Sequence, residues 1–104
     1  MKFRDLAWLV GLLEGEGSFG LNPTKGKHYA RISLGMVDRD VVARAAHLME
    51  VRLLGPYGPY SANRQAFYEA HVDGLAAKKM MRTLLPFMGK RRKAQICRVL
   101  TLAR

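Results

Sequence analysis

Cysteine is almost missing from this 104-residue chain. The single residue, Cys97, cannot close an internal disulfide or build a metal cluster. That suits a reducing, intracellular setting. Long hydrophobic runs are missing too. The longest, Leu6–Leu13, has eight residues, far short of the roughly 20 that span a bilayer. No cationic leader with a small-residue cleavage site is visible, so no targeting signal and no membrane partner are expected. His28, His47 and His71 are widely separated and lack zinc-ligand spacing. Acids are missing from one whole third of the chain: beyond Asp73 there are nine Lys or Arg residues and no Asp or Glu.

What remains is 49% apolar, enough for one folded domain over residues 1–104 with a modest core. The formal charge is +10, and the first 73 residues, with nine basic and eight acidic groups, contribute little of it. Such a tail is either a solvated basic face, a patch for a membrane surface or ribonucleoprotein, or a site for a polyanion. Nucleic acid is the commonest polyanion for so basic a small domain.

Periodicity orders the chain. A first helix is expected over Asp5–Glu14, with Asp5 as N-cap. It is apolar on every side, and a small domain covers only one side of such a helix, so a partner is needed for the other. Gly11 and Gly15, four apart, share a face on which two backbones could approach closely. Ser18–Asn22 begins a strand, and Pro23, Lys25, Gly26 and Lys27 mark a turn. His28–Val37 alternates, with Ala30, Ile32, Leu34 and Met36 on one face and Tyr29, Arg31 and Ser33 on the other. Asp38 reads as the N-cap of a second helix reaching about Leu54, stopped by Gly55. A third strand is expected near Tyr60 and a fourth over Gln65–Asp73. A third helix over Leu75–Leu85 is interrupted at Pro86, and a basic helix covers 90–103. The order α-β-β-α-β-β-α-α implies an α+β fold: a four-stranded antiparallel sheet with helices packed on one face. Its other face, with Tyr29, Arg31, Ser33, Gln65 and His71, could read base edges in a major groove or simply be solvated.

One feature resists this reading. Glu14 and Glu16 end the first helix at its negative pole, where a carboxylate is disfavoured by ~0.3–1 kcal/mol. The segment Leu9–Gly17, LVGLLEGEG, followed by Ser18–Phe19, resembles the nine-residue motif of the LAGLIDADG homing endonucleases. The element order and the segment Leu84–Ile96, LLPFMGKRRKAQI, extend the resemblance over most of the chain.

The resemblance implies a site-specific DNA endonuclease of the single-motif type, making a double-strand break as a homodimer on a palindrome-like site and associated with intron or intein mobility. The motif helix, Leu6–Gly15, would be the dimer interface, through Trp8, Leu9, Gly11, Leu12 and Gly15. Glu16, with Gly15 beside it, would hold Mg²⁺, and the cation offsets the dipole penalty. Both acidic motif positions read Glu where the family name spells Asp. Glu14 is expected to be no main ligand but a solvent-facing or locally hydrogen-bonded acid. Lys90 would act at the scissile phosphate, and Asp38 would either orient water or cap its helix. Double-stranded DNA would be contacted by Ser18, Asn22, Lys25, Lys27, Tyr29, Arg31, Ser33, Arg64, Gln65, Phe67, Glu69 and His71, with Arg91 and Arg92 on phosphates. The same resemblance allows a catalytically silent DNA-binding regulator or an RNA-binding splicing maturase.

Overall fold

Alternation along the strands is what builds the core. The structure, a computed structural model, describes residues 1–104. Strand β1 (Gly17–Thr24) pairs antiparallel with β2 (Lys27–Met36), and β2 with β4 (Phe67–Asp73). The short β3 (Leu54–Tyr57) closes the far edge, giving the order β1-β2-β4-β3. Ala30, Ile32 and Leu34 of β2 and Ala70 and Val72 of β4 are buried on one face. All four helices supply that core: Leu9 and Leu13 from α1 (Phe3–Glu16), Val42, Ala45 and Ala46 from α2 (Arg39–Leu48), Ala77, Met81 and Leu84 from α3 (Gly74–Leu84), and Ile96 and Val99 from α4 (Lys90–Leu102). No helix is long and apolar enough to cross a membrane.

The expected fold class and the existence and order of all the elements hold, and several boundaries move for identifiable reasons. Helix α1 starts at Phe3 with Lys2 in the cap position, so Asp5 lies inside the first turn, 3.5 Å from an Arg44 guanidinium nitrogen, and is not the N-cap. It still sits at the positive pole, where an acid is favoured. Helix α2 stops at Leu48, six residues before the expected end. Glu50 takes φ +60°, the Glu50 N–H donates to the His47 carbonyl, and the Val51 N–H donates to the Ala46 carbonyl. This is the paired 5→2 and 6→1 closure of a Schellman motif with Glu in the usual glycine place. The early stop frees Leu54–Tyr57 to be β3, ahead of the strand expected near Tyr60.

Pro23 lies within β1, not in the turn. β1 is an edge strand, where the missing N–H of proline is tolerated. The turn is Lys25-Gly26, both at positive φ (52° and 77°), between the paired Thr24 and Lys27. That matches a type I′ hairpin, whose twist suits the flanking strands. β4 starts at Phe67, leaving Arg64 and Gln65 on the preceding loop. Pro86 stands in a single 3-10 turn over Leu85–Phe87, which the Met88 N–H closes by donating to the Leu85 carbonyl.

Gly17 makes the change from α1 to β1 possible. A Cβ there would lie 2.8 Å from the Leu13 carbonyl oxygen, closer than any side chain tolerates. The chain therefore leaves Glu16, the last helical residue, directly into the sheet.

Leu13 is fully buried and Leu102 is 53% exposed. Leu13→Ala should lower unfolding stability by about 2–5 kcal/mol, and Leu102→Ala should change it by no more than about 0.5 kcal/mol. Urea unfolding of the two variants beside the parent checks the contrast.

Candidate nucleic-acid interface

The sheet's outer face is organised in rows across the strands. Ser18 pairs with Ser33, which pairs with His71; Gly20 pairs with Arg31, which pairs with Asp73; Asn22 pairs with Tyr29. Period-two alternation in each strand brings Ser18, Asn22, Lys27, Tyr29, Arg31, Ser33, Phe67, Glu69 and His71 to this one face. Lys25 stands at the hairpin tip.

Two polar groups on this face are already coupled. Arg31 donates from Nε (2.6 Å) and Nη2 (3.1 Å) to the two Asp73 carboxylate oxygens, and Asn22 Nδ2 lies 3.4 Å from Oδ1. The hydrogen bond from Arg31 holds the Asp73 carboxyl below its ordinary value of 3.8, and the same bond pushes the Arg31 guanidinium further above its own. His71 lies with Nδ1 3.2 Å from Ser33 Oγ and Nε2 3.1 Å from Glu69 Oε2. Arg31 is therefore not a free fork for a guanine. Its bidentate geometry is taken up by Asp73, an acid that strand alternation placed on the same face and that pairwise reading of the sequence overlooked.

The two puzzling acids have separate fates. Successive helical residues turn by about 100°, so Glu14 and Glu16 point to different sides. Glu14 reaches the start of α4: its Oε1 accepts the backbone N–H of Gly89, the residue capping that helix. Arg92 Nε donates to the Glu14 carbonyl oxygen (3.0 Å) and lies 3.9 Å from the carboxylate, while Arg92 Nη1 donates to Gln95 Oε1 (3.0 Å). The end of α1 is thereby fastened to the start of α4, which carries no acid in its own first turn. Glu14 is at the wrong pole of its own helix and the right pole of another. Neither expected reading of Glu14 holds: its hydrogen bond is not local but reaches a residue 75 positions along the chain, because the fold packs the start of α4 against the end of α1.

Arg92 is a correction. It is only 7% exposed, lies over the Phe19 ring, and has Nε and Nη1 engaged inside the chain, so it is turned away from a phosphate in solvent. Within the run Lys90–Lys93 only helical phase separates it from its neighbours. Arg92, Ile96 and Val99 share one face, and that spacing was the available signal. Lys90, Arg91 and Lys93 are exposed.

Glu16 is exposed and belongs to none of the chain's ion pairs. Asp38 occupies the cap position of α2 through its carbonyl, which accepts the Val41 and Val42 N–H groups. Its side chain makes no cap bond and is exposed.

On α1, Leu9 is fully buried in the chain's own core, so it cannot belong to a face offered to a second copy. Gly11, two residues on and about 200° around the helix, is on the opposite side. Ala7, Gly11 and Gly15 form an exposed small-residue stripe, and a Cβ at either glycine would meet nothing. Beside it lies an apolar groove of about 160 Å³ lined by Phe3, Leu6, Ala7, Val10 and Phe87. Phe3 is 76% exposed. Trp8 is half-buried, with the Arg44 guanidinium 4.0 Å above its ring, and Leu12 is half-buried. Phe3 and Phe87 lay outside the expected interface, because they come from beyond the motif.

This arrangement, a motif helix entering an antiparallel sheet with the helices packed behind it, is the LAGLIDADG homing-endonuclease fold, and the chain has that fold. Among solved structures it is similar to the archaeal intron-encoded homing endonuclease I-Vdi141I complexed with DNA, at TM-score 0.65 and 16% identity over 89% of this chain and 63% of that one. It is also similar to the group I intron-encoded homing endonuclease I-CeuI complexed with DNA, at TM-score 0.64 and 13% identity over 96% and 54%. The chain thus spans less than two thirds of either. No protein-family model and no curated protein matches it.

Glu14→Ala removes the acceptor of a helix-capping N–H and should cost about 0.5–2 kcal/mol. Faster amide exchange in the first turn of α4, measured with the unfolding free energy, checks that the loss is local. The Arg31–Asp73 pair sets an acid limit. Because Asp73 is held below 3.8, the pair's contribution is fully present above that pH and is lost as pH falls through the lowered value. Asp73→Asn should therefore be less stable than the parent at pH 6, with the gap closing at the acid end of a pH series of unfolding curves.

Proposed function

We propose that the chain is a DNA endonuclease acting as a homodimer paired along α1. The observation that carries the reading is Glu16: an unpartnered carboxylate at the exposed end of a helix whose small-residue face, Ala7, Gly11 and Gly15, is bare. Pairing two copies along that stripe brings two Glu16 carboxylates toward each other, at the edge of two sheet faces bearing groove-sized polar side chains. The two similar solved structures are homing endonucleases complexed with DNA, which supports DNA as the partner.

The donor set suits a hard cation. Glu16 offers carboxylate oxygens, and the Gly15 carbonyl is among the last four of α1, which have no partner further along the helix. No sulfur or imidazole stands with them in the sequence. One chain gathers no cluster of three or more His, Cys, Asp or Glu residues. Magnesium fits such a set, because it takes one or two carboxylates and fills its shell with water and phosphate oxygens. When bound, Mg²⁺ supplies charge stabilisation for the attacking and leaving oxygens of phosphodiester hydrolysis. The chain's own groups do the rest. Lys90 at the head of α4 offers a cation for the negative charge growing on the phosphate. Asp38 offers a free carboxylate to orient water. Lys25, Lys27, Arg91 and Lys93 contribute cations for the DNA backbone, and Ser18, Tyr29, Ser33 and His71 face the bases. Two-fold symmetry addresses both strands at a palindrome-like site.

The test is cleavage of a randomised duplex library with Mg²⁺, with sedimentation of each protein. The parent should select a near-palindromic sequence and cut it as a dimer. Glu16→Gln should remain a dimer, bind that sequence and leave it uncut. Gly11→Val should fill the bare stripe, shift the protein toward monomer and lose cleavage. Selective binding by the parent without any cutting would replace this reading with a silent regulator. Selective binding of structured RNA in preference to duplex would replace it with a maturase.

A further inference from the structure

Three aromatic rings gather at one end of the outer sheet face. Tyr57 and Phe67 have ring centroids 5.6 Å apart, and Tyr60 and Phe67 6.1 Å apart, with planes tilted at 45° and 54°. Phe67 is half-buried and Tyr60 is 74% exposed. A large ring left so open on a loop gives up the burial that normally stabilises aromatic side chains. The ring borders a cleft of about 220 Å³ lined by Val37, Tyr60, Arg64, Gln65 and Phe67.

Three kinds of chemistry meet in that cleft. Tyr60 and Phe67 offer ring surface, Gln65 offers an amide that both donates and accepts, and Arg64 is a permanent cation. No acid lines it. Ring surface, amide and guanidinium match the three parts of a nucleotide that a single-strand binder contacts: base face, base edge and phosphate. A base inside a duplex hides its face in the stack, so the matching ligand is an unpaired one.

We propose that this cleft binds one unpaired nucleobase, stacked on the Tyr60 ring with Phe67 beside it, and with Arg64 on the adjoining phosphate. Its position in the fold is informative. Gly17, which follows Glu16, pairs with Leu34, so α1 delivers its acid at the end of the sheet where β2 finishes. Val37 follows β2 at that same end, and Phe67 begins β4 there. The Lys25-Gly26 hairpin tip is at the other end. A strand loosened near Glu16 therefore lies at the end of the sheet that carries the cleft. The inference does not depend on cleavage, since a chain that cuts nothing can still hold a base this way.

The probes are an eight-nucleotide oligothymidylate, an abasic octamer with the same phosphates, and oligouridylate of the same length. Binding is measured at one fixed salt concentration and then across a salt series. The parent should bind oligothymidylate about tenfold or more tighter than the abasic strand. Tyr60→Ala and Tyr60→Leu should each lose about tenfold on oligothymidylate, the scale of one lost stacking partner, and be unchanged on the abasic strand. Arg64→Ala should weaken both and flatten the salt dependence. Oligouridylate should bind like oligothymidylate, because both carry a pyrimidine face for the rings; a strong preference for either would support the cleft and show that it distinguishes the sugar or the thymine methyl. Melting temperatures of the Tyr60 variants should match the parent, since the ring is exposed. Equal parental affinity for the base-bearing and abasic strands, or Tyr60→Leu binding within twofold of the parent, would overturn the proposal.

Discussion

The fastening of α1 to α4 through Glu14 is the constraint on which the geometry of this protein turns. One carboxylate accepts the N–H that opens α4, and a buried guanidinium on α4 returns to the carbonyl of the same residue. The two contacts join segments 75 and 78 positions apart. They fix the height at which α1 releases the chain into β1, and so where Glu16 ends up. They also hold Lys90, the next residue after Gly89, at the corner shared by the two helices. Arg92 is the chain's one buried charged residue. Such a group is stable only with its donors occupied, which links its burial to the integrity of the Glu14 turn.

A second constraint runs across the sheet. The outer face is a network before it meets any partner: Arg31 belongs to Asp73, and His71 lies between Ser33 and Glu69. Preorganised polar groups lose less freedom on binding than free ones. They also present fixed combinations, so the Arg31–Asp73 pair shows a carboxylate edge and a remaining guanidinium nitrogen together. Readout by this face would then depend on pairs of residues rather than on single arginines. The exposed unpaired cations stand elsewhere, at the hairpin tip and along the exposed side of α4.

The third constraint is the divided character of α1. Leu9 and Leu13 complete the core from one side, while Ala7, Gly11 and Gly15 leave the other side flat and bare. Phe3 and Phe87 stand beside that stripe as large exposed apolar groups. An exposed apolar face of this kind is the sort of surface on which partners pack. The same two residues of offset that bury Leu9 turn Gly11 outward, so core and candidate interface are set by one helical phase.

Much of this was legible in the residues alone. Alternation in His28–Val37 and Gln65–Asp73 determined which strand faces are apolar, because a pleated strand has no other way to divide its side chains. The apolar run Leu6–Leu13 marked a helix with more apolar surface than one side of a small core can cover, and the two acids after it marked its end as chemically unusual. What depended on the tertiary structure was which charge meets which. Glu14 finds Gly89, Asp73 finds Arg31, and Arg92 turns inward, in each case across dozens of residues. Loop closure and strand pairing decide such meetings, and no local spacing encodes them. The stop of α2 at Leu48 was likewise hidden, since Glu50 takes a left-handed conformation that the sequence would assign to the nearby Gly55. Local pattern determines faces and periods; only the packed chain determines partners, because pairing energies depend on distance in space and not along the chain.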